Sequence, residues 1–146
     1  MRAFWDTSAV LSLALHDECY AEAKRVFASG KWTHTASPLV ALEAENRIRT
    51  MRLTGELNAG EAAETLDWLE HTFALHHIKL HNIKDSRQMA AEGRRLIQHF
   101  SPGVPHGTMD VVHVACARLL RTDGFFTFDA NQSALAAAAG FKVKLT

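Results

Sequence analysis

Several things are scarce in this chain, and each scarcity excludes something. Only two cysteines, Cys19 and Cys116, occur in 146 residues, so no disulfide framework staples the fold, and the pair reads as reduced thiols of a cytoplasmic chain. Charge of one sign is not in excess: sixteen Lys plus Arg stand against sixteen Asp plus Glu. No global field therefore draws the protein onto a polyanion or a membrane surface, and any nucleic-acid contact has to be local. No apolar run approaches the roughly eighteen residues of a membrane span. Arg2, the run Ala9 to Leu15 and the small triplet Ala21-Glu22-Ala23 imitate a signal peptide. Against that reading, Asp6 abuts the run, and Asp17 with Glu18 separates it from the supposed cleavage site. A buried strand followed by a helix accounts for the segment better. Glycine-rich phosphate loops are missing too: no GxGxxG follows the first strand, and no P-loop sequence is present.

What remains is an ordinary globular composition, 47% hydrophobic and 22% charged, long enough to bury a core as one domain over residues 1–146. Short β-rich runs (Ala3 to Trp5, Trp32 to Thr35, Leu75 to Leu80, Phe125 to Phe128, Lys142 to Leu145) alternate with helical patterns. That alternation predicts an α/β fold, with helices on both faces of a mainly parallel sheet. Helix signals lie between the runs. Ser37 precedes Pro38 and Gly55 follows the last turn of that helix; Asn58 with Glu61 makes a capping box. Thr108 stands where it can cap the helix carrying Asp110, and Gly140 closes the alanine-rich one. The Pro/Gly-rich stretch Ser101 to Gly107 reads as a surface loop with no assigned role.

Ligands of open parallel sheets collect beyond the carboxyl ends of the strands, and the acids there are informative. Asp6 directly follows the first strand and Asp129 the fourth. Asp110 opens a helix, where the dipole favours a carboxylate, and Glu43 sits among Leu39, Val40, Leu42 and Asn46. Each acid singly reads as a turn residue, a cap or a solvated charge. Gathered at one edge they would repel and raise each other's pKa unless a cation neutralised them, and an all-oxygen donor set suits Mg²⁺ or Mn²⁺. Such a cluster serves phosphoester hydrolysis.

Phe4-Trp5-Asp6-Thr7-Ser8-Ala9, Ser37 to Asn46 with Glu43, Thr108-Met109-Asp110-Val111-Val112-His113-Val114-Ala115 and Thr127-Phe128-Asp129-Ala130-Asn131-Gln132 resemble the PIN-domain nucleases, in that family's order and spacing. The resemblance spans essentially the whole chain, and the segment running into Gly140-Phe141-Lys142-Val143 is similar to VapC-type toxins. It implies a PIN-like three-layer α/β/α domain with about five strands. It also implies a Mg²⁺- or Mn²⁺-dependent endoribonuclease, the toxin of a toxin–antitoxin pair, with RNA as substrate, a homodimeric state and an antitoxin partner. Carried over by position, Asp6, Glu43, Asp110 and Asp129 become the catalytic and metal-binding acids, with Glu43 preferred to Glu45. Ser8 and Thr127 become hydroxyls that orient them, and His113 packing or support. The chain departs from the pattern at Asn131, where some relatives supply another acid.

Arg47, Arg49 and Arg52, and separately Arg94, Arg95, Arg118 and Arg121, form local basic groups. Arg47 and Arg49 are the preferred RNA contacts, because they lie one to two turns beyond Glu43. The histidines His71, His76, His77 and His81 match no zinc spacing, and Trp5, Trp32 and Trp68 read as core. A dehalogenase-type phosphatase would need an Asp where Ser8 stands. The rival from another class is a catalytically silent adaptor of the same fold that binds nucleic acid or protein.

Overall fold

A computed structural model describes residues 1–100, 103 and 105–144. Its sheet has five strands, β1 (Arg2–Trp5), β2 (Thr33–Ala36), β3 (Lys79–Leu80), β4 (Gly124–Phe126) and β5 (Lys142–Lys144), all parallel in the order β3-β2-β1-β4-β5. The chain starts at the centre of the sheet, builds outward through β2 and β3, then crosses back to β4 and β5. Strand order therefore reverses between β1 and β4, the place where open parallel sheets hold their ligands.

Between β1 and β3 run α1 (Thr7–Leu15), α2 (Tyr20–Phe27), α3 (Pro38–Thr54) and α4 (Ala59–Ala74), with α1 packed on the other three. After β3 come α5 (Ser86–His99), α6 (Thr108–Leu119) and α7 (Ala130–Ala138), with α6 packed on both neighbours. Right-handed crossovers that travel in opposite directions along a sheet place their helices on opposite faces. The two helical groups are the outer layers of the expected α/β/α sandwich.

The core is built on the register of the central strands. Phe4 pairs with Phe125 and Trp5 with Phe126. Their rings meet across the ladder at 5.5 Å stacked and 5.2 Å edge-on, all four fully buried. Trp32 and Trp68 pack half-buried against this core. His34 is also a packing residue. Trp5 Nε1 donates to its Nδ1 at 2.9 Å while Nε2 lies 3.0 Å from the Phe27 carbonyl. Burial pulls its pKa down, against the Phe27 bond. Arg118 is likewise used inside the fold: it pairs with Glu92, donates to the Ala139 carbonyl at 2.9 Å and lies 5.4 Å from the Phe100 ring. It ties α5, α6 and the end of α7 together.

The caps of α3 and α4 follow the sequence. Ser37 and Pro38 open α3, Gly55 closes it at φ 81°, and the Asn58–Glu61 capping box opens α4. Gly140, at φ 92°, follows α7. Other expectations need correction. Only Lys79 and Leu80 of the run from Leu75 are strand. The amides of His77 and Ile78 both return to the Thr72 carbonyl, and His76 turns left-handed at φ 56°. His76 and His77 therefore lie in the turn that ends α4, not on a strand. Trp32 precedes β2, and Cys19 is the residue before α2; both cysteines are free thiols. Gly107, not Thr108, caps α6, because the Asp110 carboxylate reaches back to the Gly107 amide at 3.0 Å. β4 ends at Phe126, where Thr127 and Phe128 are drawn off to the Asp6 and Ser8 side chains. Leu145, and Ser101, Pro102 and Val104 of the expected loop, lie outside the described residues.

Candidate active site

Asp6 leaves β1 with its amide still on the ladder, donating to the Phe126 carbonyl at 3.1 Å, and its side chain caps α1 through the Ala9 amide at 2.8 Å. The Ser8 hydroxyl lies 2.9 and 3.0 Å from the two carboxyl oxygens, and the Thr127 hydroxyl 2.8 Å from Oδ2. The side chain is buried, and loss of water pushes its pKa up to about 6, although bonds from Ala9, Thr127 and Ser8 work the other way.

Asp129, exposed, caps α7 through the Gln132 amide at 2.8 Å, and its own amide donates to Thr127 Oγ1 at 3.0 Å. Asp110 stands in the first turn of α6 with Oδ2 on the Gly107 amide. Glu43 projects from α3 toward the same place. Its Oε2 accepts from His113 Nε2 at 2.6 Å and from the Thr7 hydroxyl. The His113 bond is the main reason that its carboxyl stays below the usual glutamate range; burial opposes it and Thr7 adds to it. One cavity of about 230 Å³ is lined by Asp6, Glu43, Asp110 and Asp129 together, with Ser8, Arg47, His113 and Gln132 among the other walls.

The four acids thus line one cavity beyond the carboxyl ends of β1 and β4. Ser8 and Thr127 both contact Asp6, whereas Glu45 is exposed and spends its charge on Arg49 at 2.8 Å. Arg47 reaches the cavity and pairs loosely with Glu56 at 3.7 Å. Arg49 instead lines a separate apolar groove with Leu42, Leu66, Leu69 and Phe73. Three contributors had no assigned site role in the sequence: Thr7, His113 as the partner of Glu43, and Gln132. His113 stands three residues after Asp110 on α6 and Gln132 three after Asp129, the cap of α7, so each lies one turn from an acid at the start of its helix.

All the acidic donors here are carboxylate oxygens, which fit a hard cation such as Mg²⁺ or Mn²⁺. Their spacing is not yet that of a ligand set. Among the described residues no three His, Cys, Asp or Glu side chains stand together as a metal-holding group. Part of each carboxylate is committed to the protein, while Glu43 Oε1, Asp110 Oδ1 and Asp129 Oδ2 accept no hydrogen bond from the described residues.

Neither a protein-family model nor a curated protein matches the sequence. In structure the chain is similar to VapC20 of Mycobacterium tuberculosis, described as a sarcin-ricin loop cleaving toxin. The TM-score is 0.68 at 18% identity, with 95% of each chain covered. It is also similar to PAE2754 of Pyrobaculum aerophilum, with a TM-score of 0.61 at 15% identity, covering 94% of this chain and 81% of that one. These likenesses establish the fold, a PIN-like α/β/α sandwich on a five-stranded parallel sheet. No described helix is long and apolar enough to cross a membrane.

Proposed function

We propose that this chain is a metal-dependent endoribonuclease, the toxin of a toxin–antitoxin pair that works as a homodimer. The observation that carries the reading is the single cavity at the strand-order reversal lined by Asp6, Glu43, Asp110 and Asp129. The fold shared with an RNA-cleaving toxin supports it.

Mg²⁺ or Mn²⁺, when bound, supplies charge neutralisation and an activated water for attack on phosphorus. The chain's own residues prepare for it. Ser8, the Ala9 amide and Thr127 fix Asp6 in one orientation. Three carboxylate oxygens with no partner among the described residues, on Glu43, Asp110 and Asp129, remain as donors for a cation. Buried Asp6 holds its proton up to about pH 6 when no counter-charge is near, so positive charge in the cavity favours its ionised form. Arg47, on the cavity wall one helical turn beyond Glu43, is placed to hold a substrate phosphate by exchanging its long contact with Glu56. With zero formal net charge, such a protein meets a small footprint on a structured RNA recognised by shape.

One observation favours the adaptor instead: Asp6, Asp110 and Asp129 each also serve a helix N-terminus, so their presence alone does not demand catalysis. The test is to incubate a pool of structured cellular RNAs with the wild type in Mg²⁺, in Mn²⁺ and in EDTA, and to map new ends. Metal-dependent ends that vanish in Asp6→Ala support the nuclease; ends that persist in that variant place the chemistry elsewhere. An open reading frame for a small DNA-binding antitoxin beside the gene, whose product binds the chain and relieves growth inhibition, supports the toxin.

A further inference from the structure

Glu43 is held differently from the other three acids. Asp6, Asp110 and Asp129 are fixed by backbone amides of their own helices. Glu43 lies in the second turn of α3, where no free amide reaches it, and its longer side chain has more rotamers to lose on ordering. Two side chains from two other helices do the holding: Thr7 in the first turn of α1, and His113 from α6 in the opposite helical layer. Both donate to the same oxygen, Oε2, and Oε1 receives nothing from the described residues. The ring of His113 is 2% exposed and its Nδ1 is buried without a partner. The hydrogen therefore belongs on Nε2, which points at Glu43 and stands 3.4 Å from Thr7 Oγ1.

We propose that Thr7 and His113 form a clamp that fixes Glu43 by Oε2 and presents Oε1 to a divalent cation in the cavity, making His113 a positioning residue for metal capture. The inference rests on the metal-nuclease reading given above. An outer hydrogen-bond partner of a ligating carboxylate fixes its orientation and basicity, and its loss costs about 10–100-fold in metal affinity. The alternative use of the same contact is a plain tie between the two helical layers, which contributes to stability and leaves metal affinity alone.

Mn²⁺ titration of the full-length protein, read by calorimetry and by the Mn²⁺-induced rise in melting temperature, separates the two. His113→Leu keeps the bulk and removes the donor; Thr7→Val removes the second donor at a half-buried position, so it carries the test should the first variant not fold. Each should weaken Mn²⁺ binding about 10–100-fold. His113→Gln, which restores an N–H at similar reach, should recover most of the loss. In a Glu43→Gln background His113→Leu should add nothing, because it acts only through Glu43. If His113→Leu and Thr7→Val lower the metal-free melting temperature but bind Mn²⁺ as the wild type does, while Glu43→Gln does not, the clamp is overturned and the metal site stands. If the wild type binds no Mn²⁺, the metal reading fails and the clamp with it.

Discussion

The Thr127 hydroxyl lies 2.8 Å from Asp6 Oδ2, joining the ends of the two central strands on either side of the strand-order reversal. It has one hydrogen and two claimants, since Gln132 Oε1 is 3.0 Å away, and it already accepts from the Asp129 amide. With Asp6 ionised, Thr127 gives its hydrogen to Asp6 and the Gln132 oxygen goes without. With Asp6 protonated, the chain Asp6 to Thr127 to Gln132 is complete. The bonds from Ala9, Thr127 and Ser8 favour the carboxylate, but the desolvation of the buried group outweighs them, and the proton is retained up to about pH 6.

That retention sets a pH dependence. The native state binds a proton on Asp6 more tightly than the unfolded chain does, so between the ordinary value of 3.8 and about 6 the metal-free protein loses stability as pH rises. Below and above that window Asp6 contributes no slope. A shift of this size corresponds to about 3 kcal/mol. In EDTA, urea unfolding at several pH values from 4 to 7.5 should show the wild type falling relative to Asp6→Asn across the window. Parallel curves would mean that Asp6 titrates normally in the folded protein.

A second prediction concerns the close approach of Gly124 in β4 to Trp32 and to Lys142 of β5. A Cβ on Gly124 would fall 2.9 Å from the Trp32 ring and 3.3 Å from the Lys142 carbonyl, so either the indole or the edge strand has to move. Gly124→Ala should cost about 1–3 kcal/mol by overpacking. Near-ultraviolet circular dichroism should report a displaced tryptophan. An unchanged unfolding midpoint would show that the indole yields freely.

Much of this was legible in the amino-acid sequence for definable reasons. Asp6 directly follows β1 and Asp129 stands three residues past the end of β4, and position alone brings them to one edge of a parallel sheet. Asn58 with Glu61, and Pro38 with Gly55, are local signals that need no tertiary knowledge. Leu75 to Ile78 reads as strand because Leu75, Ile78 and Leu80 fall in one short run, whereas the helix before it continues to Ala74 and the turn uses a left-handed His76, a choice periodicity does not reveal. The cap of α6 falls on Gly107, one residue before the Thr108 that the local signal favours, because Asp110 supplies the capping oxygen from inside the helix. The Thr7–Glu43–His113 contact joins α1, α3 and α6 across both layers, and no spacing along the chain encodes which residues meet there.

Arg47 and Arg49, two residues apart on α3, should separate in function. Residues at i and i+2 on a helix diverge in direction, and only Arg47 reaches the acid cavity, while Arg49 is bound to Glu45. Arg47→Ala should raise the KM for RNA several-fold with little change in kcat, and should shallow the salt dependence of binding by about one phosphate contact. Arg49→Ala should do neither. Equal effects from the two would mean that RNA crosses the α3–α4 groove as well.

The sharpest separation of enzyme from adaptor comes from Asp129, which has two jobs on offer. As the cap of α7 it accepts from the Gln132 amide, a task that asparagine performs as well as aspartate. As a catalytic acid it has to bring negative charge to the cavity, which asparagine does not. Asp129→Asn should therefore leave the metal-free melting temperature within a degree or so of wild type, since the cap is kept and the side chain is exposed. RNA cleavage should fall on the order of a hundredfold or more, because one carboxylate of the charge-stabilising set is gone. RNA binding should survive, being carried by basic and backbone donors such as Arg47. Cleavage end-mapping, thermal melts and RNA binding on the same preparation read all three. Undiminished metal-dependent cleavage in Asp129→Asn would reduce this acid to a helix cap. An RNA-binding wild type that cleaves nothing in Mg²⁺ or Mn²⁺ would make the protein an adaptor whose acids serve its helices.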